Sequence, residues 1–368
     1  MFDGGYIMNR RVDVKKNNEH CYDIVINQGF DAIAEEVEKL GIKGIKLCIV
    51  TDSNVGPIYA QQLKEVLERT GNKVYIFTIP AGEANKNLDV VQTVYTYLIE
   101  EHFERRDMIV ALGGGVVGDL AGFTAATYLR GIDFIQVPTS LLAQVDSSIG
   151  GKTGVDFAKY KNMVGAFHMP RLVYINIDTL STLSSRLFNS GFGEIIKHGL
   201  IKNRNYFDYL DTNYEHIKAL EPEYIMEMVY ESCLIKADVV NNDPTEKGER
   251  ALLNFGHTLG HAVEKLMNFS LYHGECVALG MVCASYISKE RGYISEDDYA
   301  AIKKMLKKYG FPTKVEGLDI FSILEVSKSD KKMENGVVKF ILLKQLGDAI
   351  IDKTVTYDEM TQSLKEIL

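Results

Sequence analysis

The sequence is poor in cysteine, and its cysteines do not form the pattern that stabilises small secreted domains. The five are Cys21, Cys48, Cys233, Cys276 and Cys283, an odd number with no C-x-x-C pair. Such a set is typical of reduced, mostly buried thiols and excludes a disulfide framework. The opening residues MFDGGYIMNRRVDVKKN lack the apolar segment of a secretion signal. We therefore expect a cytoplasmic protein.

Long apolar runs and an excess of positive charge are also missing. No run approaches the roughly 20 apolar residues that cross a membrane. The formal net charge of −9 disfavours nucleic-acid binding, which needs a basic surface. What remains is an ordinary globular composition, 46% hydrophobic and 25% charged, in a chain of 368 residues that is long enough for two domains.

Short apolar segments alternate with amphipathic helical patterns in the first half of the chain. The helical patterns are Val55–Arg69 and Leu88–Glu101, and the predicted strands are Arg11–Lys15, Tyr22–Asn27, Lys46–Thr51, Lys73–Ile79, Asp107–Leu112, Asp133–Val137 and Leu172–Ile177. This alternation predicts a parallel sheet that binds ligands at the carboxyl ends of its strands. It stops near Leu180, so we predict an α/β domain over residues 1–178 and a mainly α-helical domain over 179–368.

Three consecutive strand ends of the first half carry polar or glycine-rich turns. The third strand of the alternating pattern runs into GGGVVGD (113–119), which satisfies the G-x-G-x-x-G pattern of pyrophosphate-binding turns. Asp52 follows the first of these strands, and Glu83 and Lys86 follow the second. The glycines could instead let a helix pack on a strand, and Asp52 and Asn54 could cap a helix. Together the three turns favour a nucleotide site.

A glycine-rich segment then brings positive charge into an otherwise acidic chain. Residues 138–154 (PTSLLAQVDSSIGGKTG) lead into KYKNMVG (159–165), which together contain three lysines and an asparagine. Ammonium groups and backbone N–H groups suit a substrate phosphate, although the spacing is not that of a Walker A loop. A solvated surface loop is the alternative.

One predicted helix of the second half, Glu246–Met267, carries an unusual polar stripe. At 100° per residue, six side chains fall within about 80° of one another; they are Glu246, Arg250, Asn254, His257, His261 and Glu264. Solvated stripes favour Lys and Glu, whereas this one contains two histidines. His257 and His261 form H-x-x-x-H without the Glu of H-E-x-x-H, and the spacing leaves open how many of them bind metal. A metal or catalytic site and a solvated face are both compatible with the pattern.

Further candidates lie on the neighbouring helical patterns. His273 precedes the apolar helix Gly274–Ile287, where the helix dipole disfavours imidazolium, so we expect a neutral imidazole suited to Zn²⁺; a capping or core histidine is the alternative. Helix Phe192–Lys202 carries Glu194, Lys197 and His198 on one face. The alternative to a functional site is an exposed salt bridge between Glu194 and Lys197. The remaining predictions are helices Glu221–Val240 (with Lys236), Glu296–Lys308 and Tyr357–Ile367, strand Val337–Leu343 and a polar turn over 329–332.

Eight stretches of the chain together resemble a known family. They are AGEANK, ALGGGVVGDLAGF, YLRGIDFIQVPTSLLAQVDSSIGGKTGV, KNMVGAF, GFGEIIKHGLI, KADVV, ERALLNFGHTLGHA and HGE. Over nearly its full length the chain closely resembles the 3-dehydroquinate synthases, lyases of the shikimate pathway. The resemblance implies a Rossmann-like NAD⁺ domain, a helical domain holding one Zn²⁺ or Co²⁺, an active site in the cleft between them, and a homodimer.

The resemblance also implies roles for individual residues. Glu194, His257 and His273 would bind the metal, which places His261 beside the substrate. Substrate hydroxyls would meet Asp146, Lys197, Lys236 and Asn254; the carboxylate would meet Arg250 and Lys331; the phosphate would meet Lys152, Asn162 and Arg130, the last of which could come from a second subunit. The implied NAD⁺ contacts are Asp52, Asn54, Glu83, Lys86, Gly114, Gly115, Val116, Asp119, Thr139, Ser140, Leu142, Lys161 and Thr182.

The implied reaction converts 3-deoxy-D-arabino-heptulosonate 7-phosphate to 3-dehydroquinate and phosphate without net redox change. Zn²⁺ would acidify a secondary alcohol, and NAD⁺ would accept and return a hydride. The nearest alternative is another sugar-phosphate cyclase such as 2-deoxy-scyllo-inosose synthase, whose substrate, glucose 6-phosphate, has no carboxylate for Arg250. A metal-dependent polyol dehydrogenase would lack the phosphate cluster, and an inactive nucleotide-binding regulator would not need the three metal ligands.

Overall fold

The computed structural model describes residues 9–158, 160–246, 248–268, 270–328, 333–334 and 337–368. Up to residue 176 the elements are β1 (Arg10–Lys16), β2 (Glu19–Asn27), α1 (Ala32–Lys39), β3 (Lys46–Asp52), α2 (Gln61–Glu68), β4 (Lys73–Ile79), α3 (Leu88–Glu100), β5 (Met108–Gly113), α4 (Gly115–Thr127), β6 (Asp133–Pro138), β7 (Lys152–Phe157), β8 (Tyr160–Phe167) and β9 (Leu172–Asn176). They are followed by α5 (Ser185–Lys202), α6 (Arg204–Thr212), α7 (Tyr214–Lys218), α8 (Pro222–Asn242), α9 (His257–Leu266), α10 (His273–Glu290), α11 (Glu296–Lys308), α12 (Ile320–Lys328), β10 (Met333–Glu334), β11 (Val337–Val338), β12 (Phe340–Gln345), β13 (Asp348–Asp352) and α13 (Tyr357–Leu364). Within these ranges, no helix combines the length and the apolar character that a membrane span requires.

These elements form two compact units. The first unit comprises the described residues up to Leu183 together with Leu220–Thr245, and the second comprises Ser184–Ala219 and the described residues from Glu246 onward. Our predicted boundary after residue 178 assigns α8 to the helical part. In the structure α8 packs on β1 and β2, where the Lys15 backbone N–H donates to Asn241 at 2.6 Å. The strand–helix alternation has already ended at α8, so the local pattern gave no sign that the chain returns to the sheet.

The first unit is built on a seven-stranded sheet in the order β1-β2-β9-β6-β5-β3-β4. β1 is antiparallel to β2, and all other neighbours are parallel. β5 and β9 are buried along their whole length, which explains their unbroken apolar sequences. The predicted parallel α/β architecture is confirmed. β7 and β8 form a separate antiparallel hairpin.

The second unit is mainly helical, as predicted, and includes the small hairpin β12–β13. α10 is buried on nearly every face, as its apolar sequence requires, and packs against α9, α5 and α11. α11 begins at the predicted residue because Ser295 and Asp298 form a capping box, in which each side chain accepts the other's backbone N–H.

The predicted continuous helix Glu246–Met267 is wrong. Residues Glu249–Asn254 form a 3₁₀ helix, Gly256 has a φ of 79°, and α9 begins only at His257. A positive φ cannot continue a right-handed helix, so the break falls at the residue that tolerates this conformation. Leu252, Phe255 and Leu259 are buried on both sides of the break, and the apolar period therefore did not reveal it.

Smaller differences concern the ends of elements. The predicted helix Val55–Arg69 starts with a π-helical turn over Gly56–Ala60 before α2. The predicted strand Val337–Leu343 is divided between β11 and β12, and the last helix ends at Leu364. The polar turn 329–332, with its predicted carboxylate-binding Lys331, lies outside the described residues. The five cysteines form no disulfide, and four of them are buried, as the sequence predicts.

Candidate functional site

Three predicted metal ligands converge in the second unit. Glu194 lies on α5, while His257 and His273 are the first residues of α9 and α10. The Nε2 atoms of His257 and His273 lie 3.5 and 3.4 Å from the same oxygen of Glu194, Oε1. Two atoms that bind Zn²⁺ tetrahedrally at about 2.1 Å are about 3.4 Å apart. The spacing therefore suits one small divalent ion held by all three side chains.

The surroundings of Glu194 also suit a cation. Its side chain is 2% exposed, and Oε1 is buried without a hydrogen-bond partner among the described residues. A buried carboxylate oxygen without a hydrogen bond is costly, so a cation bound between Oε1 and the two imidazoles would stabilise it. Burial alone would raise the pKa of Glu194, but its ion pair with Lys197 and the two imidazoles lower that pKa well below its usual value. The exposed salt bridge that we considered is excluded because both members of the pair are buried.

The carboxylates around His273 shift its pKa in the direction opposite to the one that the helix dipole alone would give. Burial alone would lower the pKa of His273, but the carboxylates of Glu194 and Glu264 raise it to about 9. Two carboxylate charges outweigh the roughly half charge at the start of a helix. A metal that binds here must therefore displace a proton from His273.

Glycines let the helices that carry the ligands approach closely. Gly193 precedes Glu194, Gly274 follows His273, and a Cβ added to Gly193 would lie 2.7 Å from the Cα of Gly274. A Cβ added to Gly274 would collide with the carbonyl group of Ser190. Because real Cβ atoms do not come so close to backbone, contacts between main chains fix how far the middle of α5, which carries Glu194, lies from the start of α10, which carries His273.

The other polar residues of the predicted stripe lie on both sides of the break at Gly256. Arg250, in the 3₁₀ helix, is buried, and Asn254 donates to Glu246 at 3.2 Å. The ring of His261 lies 5.0 Å from that of His257 and 5.8 Å from that of His273, measured between centroids. His261 lies beside both proposed imidazole ligands, since it shares α9 with His257.

Glu264 lies on the predicted polar stripe, but it is not among the predicted site residues. It is 8% exposed, and one of its oxygens lies 3.6 Å from Nδ1 of His273. Glu264, His261 and His273 also form a second group whose potential ligand atoms lie within 4.8 Å of one another. The i, i+3 spacing of His261 and Glu264 indicates that the two side chains are neighbours on one helix face, and this spacing could have identified Glu264.

In the first unit, the glycine-rich turn lies at a switch point of the sheet. After β3 the chain adds β4 on one side of it and then β5 on the other. Gly113 ends β5 and Asp52 ends β3, and ligands of open parallel sheets bind at such a pair of strand ends. α4 starts at Gly115, so the N–H groups of its first turn and the positive end of its dipole are available to an anion. Gly118 serves packing instead, because a Cβ there would lie 2.8 Å from the Gln136 side chain.

Buried Lys86, itself a predicted nucleotide contact, bonds a second predicted nucleotide contact and a predicted phosphate contact. The Nζ atom of Lys86 donates to Asp119 and to Asn162, both at 2.6 Å. Burial alone would lower the pKa of Lys86, but the Asp119 carboxylate outweighs it and raises that pKa. Asp52 accepts the backbone N–H groups of Asn54 and Val55 at 2.8 and 3.0 Å, in the turn before the helical segment that begins at Gly56; the cap residue of that segment is Val55, which makes no side-chain cap bond.

The remaining candidates of the first unit lie in helix α8, in helical turns and loops, and in the β7–β8 hairpin. Lys236 of α8 forms an ion pair with Asp146. Because α8 belongs to this unit, it brings a predicted substrate-binding lysine to another predicted substrate contact of the unit. Arg130 and Lys152 are exposed, in a 3₁₀ turn and at the start of β7. The other predicted nucleotide contacts are Glu83, paired with Lys161 at 3.7 Å; Thr139, Ser140 and Leu142, after β6; and Thr182, bonded to Tyr59 at 2.8 Å.

The fold is that of the sugar-phosphate cyclases. The structure of 2-epi-5-epi-valiolone synthase from Streptomyces hygroscopicus, with NAD⁺ and Zn²⁺ bound, matches with a TM-score of 0.87 and 26% identity over 96% of this chain and 98% of that one. A 2-deoxy-scyllo-inosose synthase complexed with carbaglucose-6-phosphate, NAD⁺ and Co²⁺ matches with a TM-score of 0.87 and 25% identity over 98% and 100% of the two chains.

Sequence comparison is more specific. The models of the 3-dehydroquinate synthase N-terminal and C-terminal domains match residues 76–190 and 191–333. The 3-dehydroquinate synthase of Acetivibrio thermocellus is 43% identical over 333 residues, which cover 90% of this chain and 92% of that protein. The chain belongs to the 3-dehydroquinate synthase family.

Proposed function

We propose that the protein converts 3-deoxy-D-arabino-heptulosonate 7-phosphate to 3-dehydroquinate and phosphate, using NAD⁺ and a divalent metal. The observation that carries the proposal is the convergence of His257 and His273 on the buried Oε1 atom of Glu194, in a chain of this family. NAD⁺ with Zn²⁺ or Co²⁺ in two related cyclases supports the same cofactors here.

Glu194, His257 and His273 would hold the metal, which when bound supplies a Lewis acid that eases ionisation of a substrate alcohol. In the first unit, Gly114, Gly115 and Val116 offer backbone N–H groups to the pyrophosphate of NAD⁺ at the start of α4. The nicotinamide supplies a hydride acceptor and donor. The ion pair between buried Lys86 and partly buried Asp119 would line the nucleotide site.

The charges of the other candidates match the groups of a heptulosonate phosphate. The ion pair of Lys236 with Asp146 offers both donors and an acceptor to substrate hydroxyls, and Lys197 offers a donor beside Glu194. Arg250 has the planar fork that suits a carboxylate, with Asn254 at the end of the same 3₁₀ helix. Lys152, Asn162 and the exposed Arg130 would bind the phosphate, and His261, outside the three-ligand group, would hydrogen-bond the substrate.

The carboxylate separates this reaction from that of 2-deoxy-scyllo-inosose synthase. Glucose 6-phosphate has no carboxylate, so the planar donor fork of Arg250 would have no matching group of the substrate to bind in that reaction. Curated relatives named 3-dehydroquinate synthase, 40% to 44% identical over most of the chain, favour the same choice. We also propose a cytoplasmic homodimer. Buried cysteines that form no disulfide agree with a reducing compartment, and sedimentation velocity would measure the oligomeric state.

The test is a turnover assay on the full-length protein, with phosphate release and 3-dehydroquinate formation followed together. We expect both from the heptulosonate phosphate, loss of both after chelation or when NAD⁺ is omitted, and recovery on adding back Zn²⁺ or Co²⁺. Glucose 6-phosphate serves as the matched control substrate and should release no phosphate. Turnover that persists without metal, or a preference for glucose 6-phosphate, would contradict the proposal.

A further inference from the structure

We infer that Glu264 is a positioning residue: it holds the imidazole of His273 so that the Nε2 atom faces the metal. This inference rests on the proposed metal site and adds to it a residue that contacts a ligand and not the ion. It stands on the geometry of the two ring nitrogens of His273 and on the burial of Glu264.

The two nitrogens of His273 face different carboxylates. Nε2 lies 3.4 Å from Glu194, whereas Nδ1 lies 3.6 Å from Glu264 on α9. An imidazole that binds a metal through Nε2 carries its proton on Nδ1, and that N–H needs an acceptor. The distance to Glu264 is an ion-pair distance, and we expect the Nδ1–H group and the carboxylate to approach to hydrogen-bond distance when the metal is bound. Because the Glu264 side chain is 11% exposed, water competes little for that N–H group.

His257 shows the same arrangement with a different acceptor. Its Nε2 atom lies 3.5 Å from Glu194, and its Nδ1 atom lies 3.1 Å from the backbone carbonyl oxygen of Phe255. Each predicted imidazole ligand thus presents Nε2 to Glu194 and Nδ1 to an oxygen atom. The acceptor for His257 is the main-chain carbonyl of Phe255, which substitution cannot remove. The acceptor for His273 is the side chain of Glu264, which substitution can remove. His273 is therefore the ligand whose orientation can be tested directly.

A competing role for Glu264 is that of a ligand in the second group, with His261 and His273. His273 would then use Nδ1 for that ion, and the chain would hold two ions. The positioning role predicts one ion for each chain, bound more weakly when Glu264 is changed. The ligand role predicts two ions, one of which is lost.

The experiment measures Zn²⁺ binding to full-length, chelator-stripped protein by competition with a chromophoric chelator, for wild type, Glu264→Ala and Glu264→Gln. Loss of an outer partner of a metal-bound histidine weakens binding by about 10-fold to 100-fold. We expect that loss for alanine and a smaller one for glutamine, whose amide oxygen still accepts a hydrogen bond. We also expect the visible absorption bands of the Co²⁺ form to shift in Glu264→Ala.

Two further variants make the outcomes distinct. Glu359→Gln removes a carboxylate of the same unit that bonds Arg291 and is not among the proposed ligands; it should lower stability without changing metal affinity. His273→Ala should abolish tight binding. If His273→Ala loses Zn²⁺ while Glu264→Ala binds it normally, the inference about Glu264 fails and the metal site stands. If neither variant changes the affinity, both fail. Two ions in the wild type and one in Glu264→Ala would also overturn the positioning role.

Discussion

The two units of the molecule form their candidate sites in different ways. In the first unit the turn at Gly113–Gly115 offers mainly backbone groups, at the position where any sheet with this strand order has a switch point. In the second unit the metal group consists of side chains on α5, α9 and α10, which meet through close contacts between main chains. A site made of backbone groups can be recognised from one short stretch of sequence. A side-chain site depends on elements far apart in the chain.

The sharpest test of this difference removes one ligand from the second unit. His273→Ala should lower metal affinity and metal-dependent turnover by more than about 100-fold, because even the loss of an outer partner costs about 10-fold to 100-fold. NAD⁺ binding should change little, because the residues proposed for it belong to the first unit. Metal titration and NAD⁺ calorimetry on the same preparation measure the two effects. Normal turnover in the variant would refute the ligand assignment.

The same substitution placed in each unit should separate the two kinds of site. Gly274→Ala puts a methyl group against the Ser190 carbonyl, so we expect a loss of about 1–3 kcal/mol of unfolding free energy, together with weaker metal binding. In Gly114→Ala the new Cβ would lie 3.4 Å from the Ser140 hydroxyl, close to an ordinary contact. There we expect a stability change within about 0.5 kcal/mol but weaker NAD⁺ binding, since the methyl group lies where the pyrophosphate would approach.

Urea unfolding and ligand titration of both glycine variants check this prediction. If Gly274→Ala keeps wild-type stability and metal affinity, the main-chain contact does not set the position of His273. If Gly114→Ala is as destabilised as Gly274→Ala, the contrast between the two units disappears.

The smallest expected effect is a difference in acid sensitivity. Hydrogen bonds from Arg291 lower the pKa of Glu359, in the second unit, to about 2, against the opposing effect of partial burial. A lowered pKa in the folded state contributes stability that is fully present above the ordinary value near 4.5 and is lost as the pH falls towards 2. Glu359→Gln should therefore flatten the fall in unfolding free energy between about pH 5 and 3, as measured by urea titration.

Glu36 provides the matched carboxylate of the first unit. Burial opposes ionisation of Glu36, but its bonds to Arg11 and Lys39 lower its pKa. Glu36→Gln should flatten the same pH dependence in the same direction. An unchanged slope in both variants would show that these pairs do not contribute to acid unfolding.

The sequence was most informative where structure is local. β4 and α11 have the predicted bounds, because an apolar run between turn residues and a capping box are complete within a few residues. The helix over 246–267 failed because one positive φ at Gly256 interrupts it while buried residues continue the period on both sides. The place of α8 on the sheet and the charge on His273 depend on partners distant in sequence, Lys15 and Glu194, and no local pattern contains them.

The close contact of Gly193 with Gly274 has a consequence for protein design. A designer who transplants Glu194, His257 and His273 onto another helical scaffold would copy the chemistry but not the distance between the helices. Side chains hold the helices of most scaffolds at about 8–10 Å between axes. At that separation the grafted ligand atoms would lie too far apart to bind one ion. The glycines would have to be copied first and the ligands second.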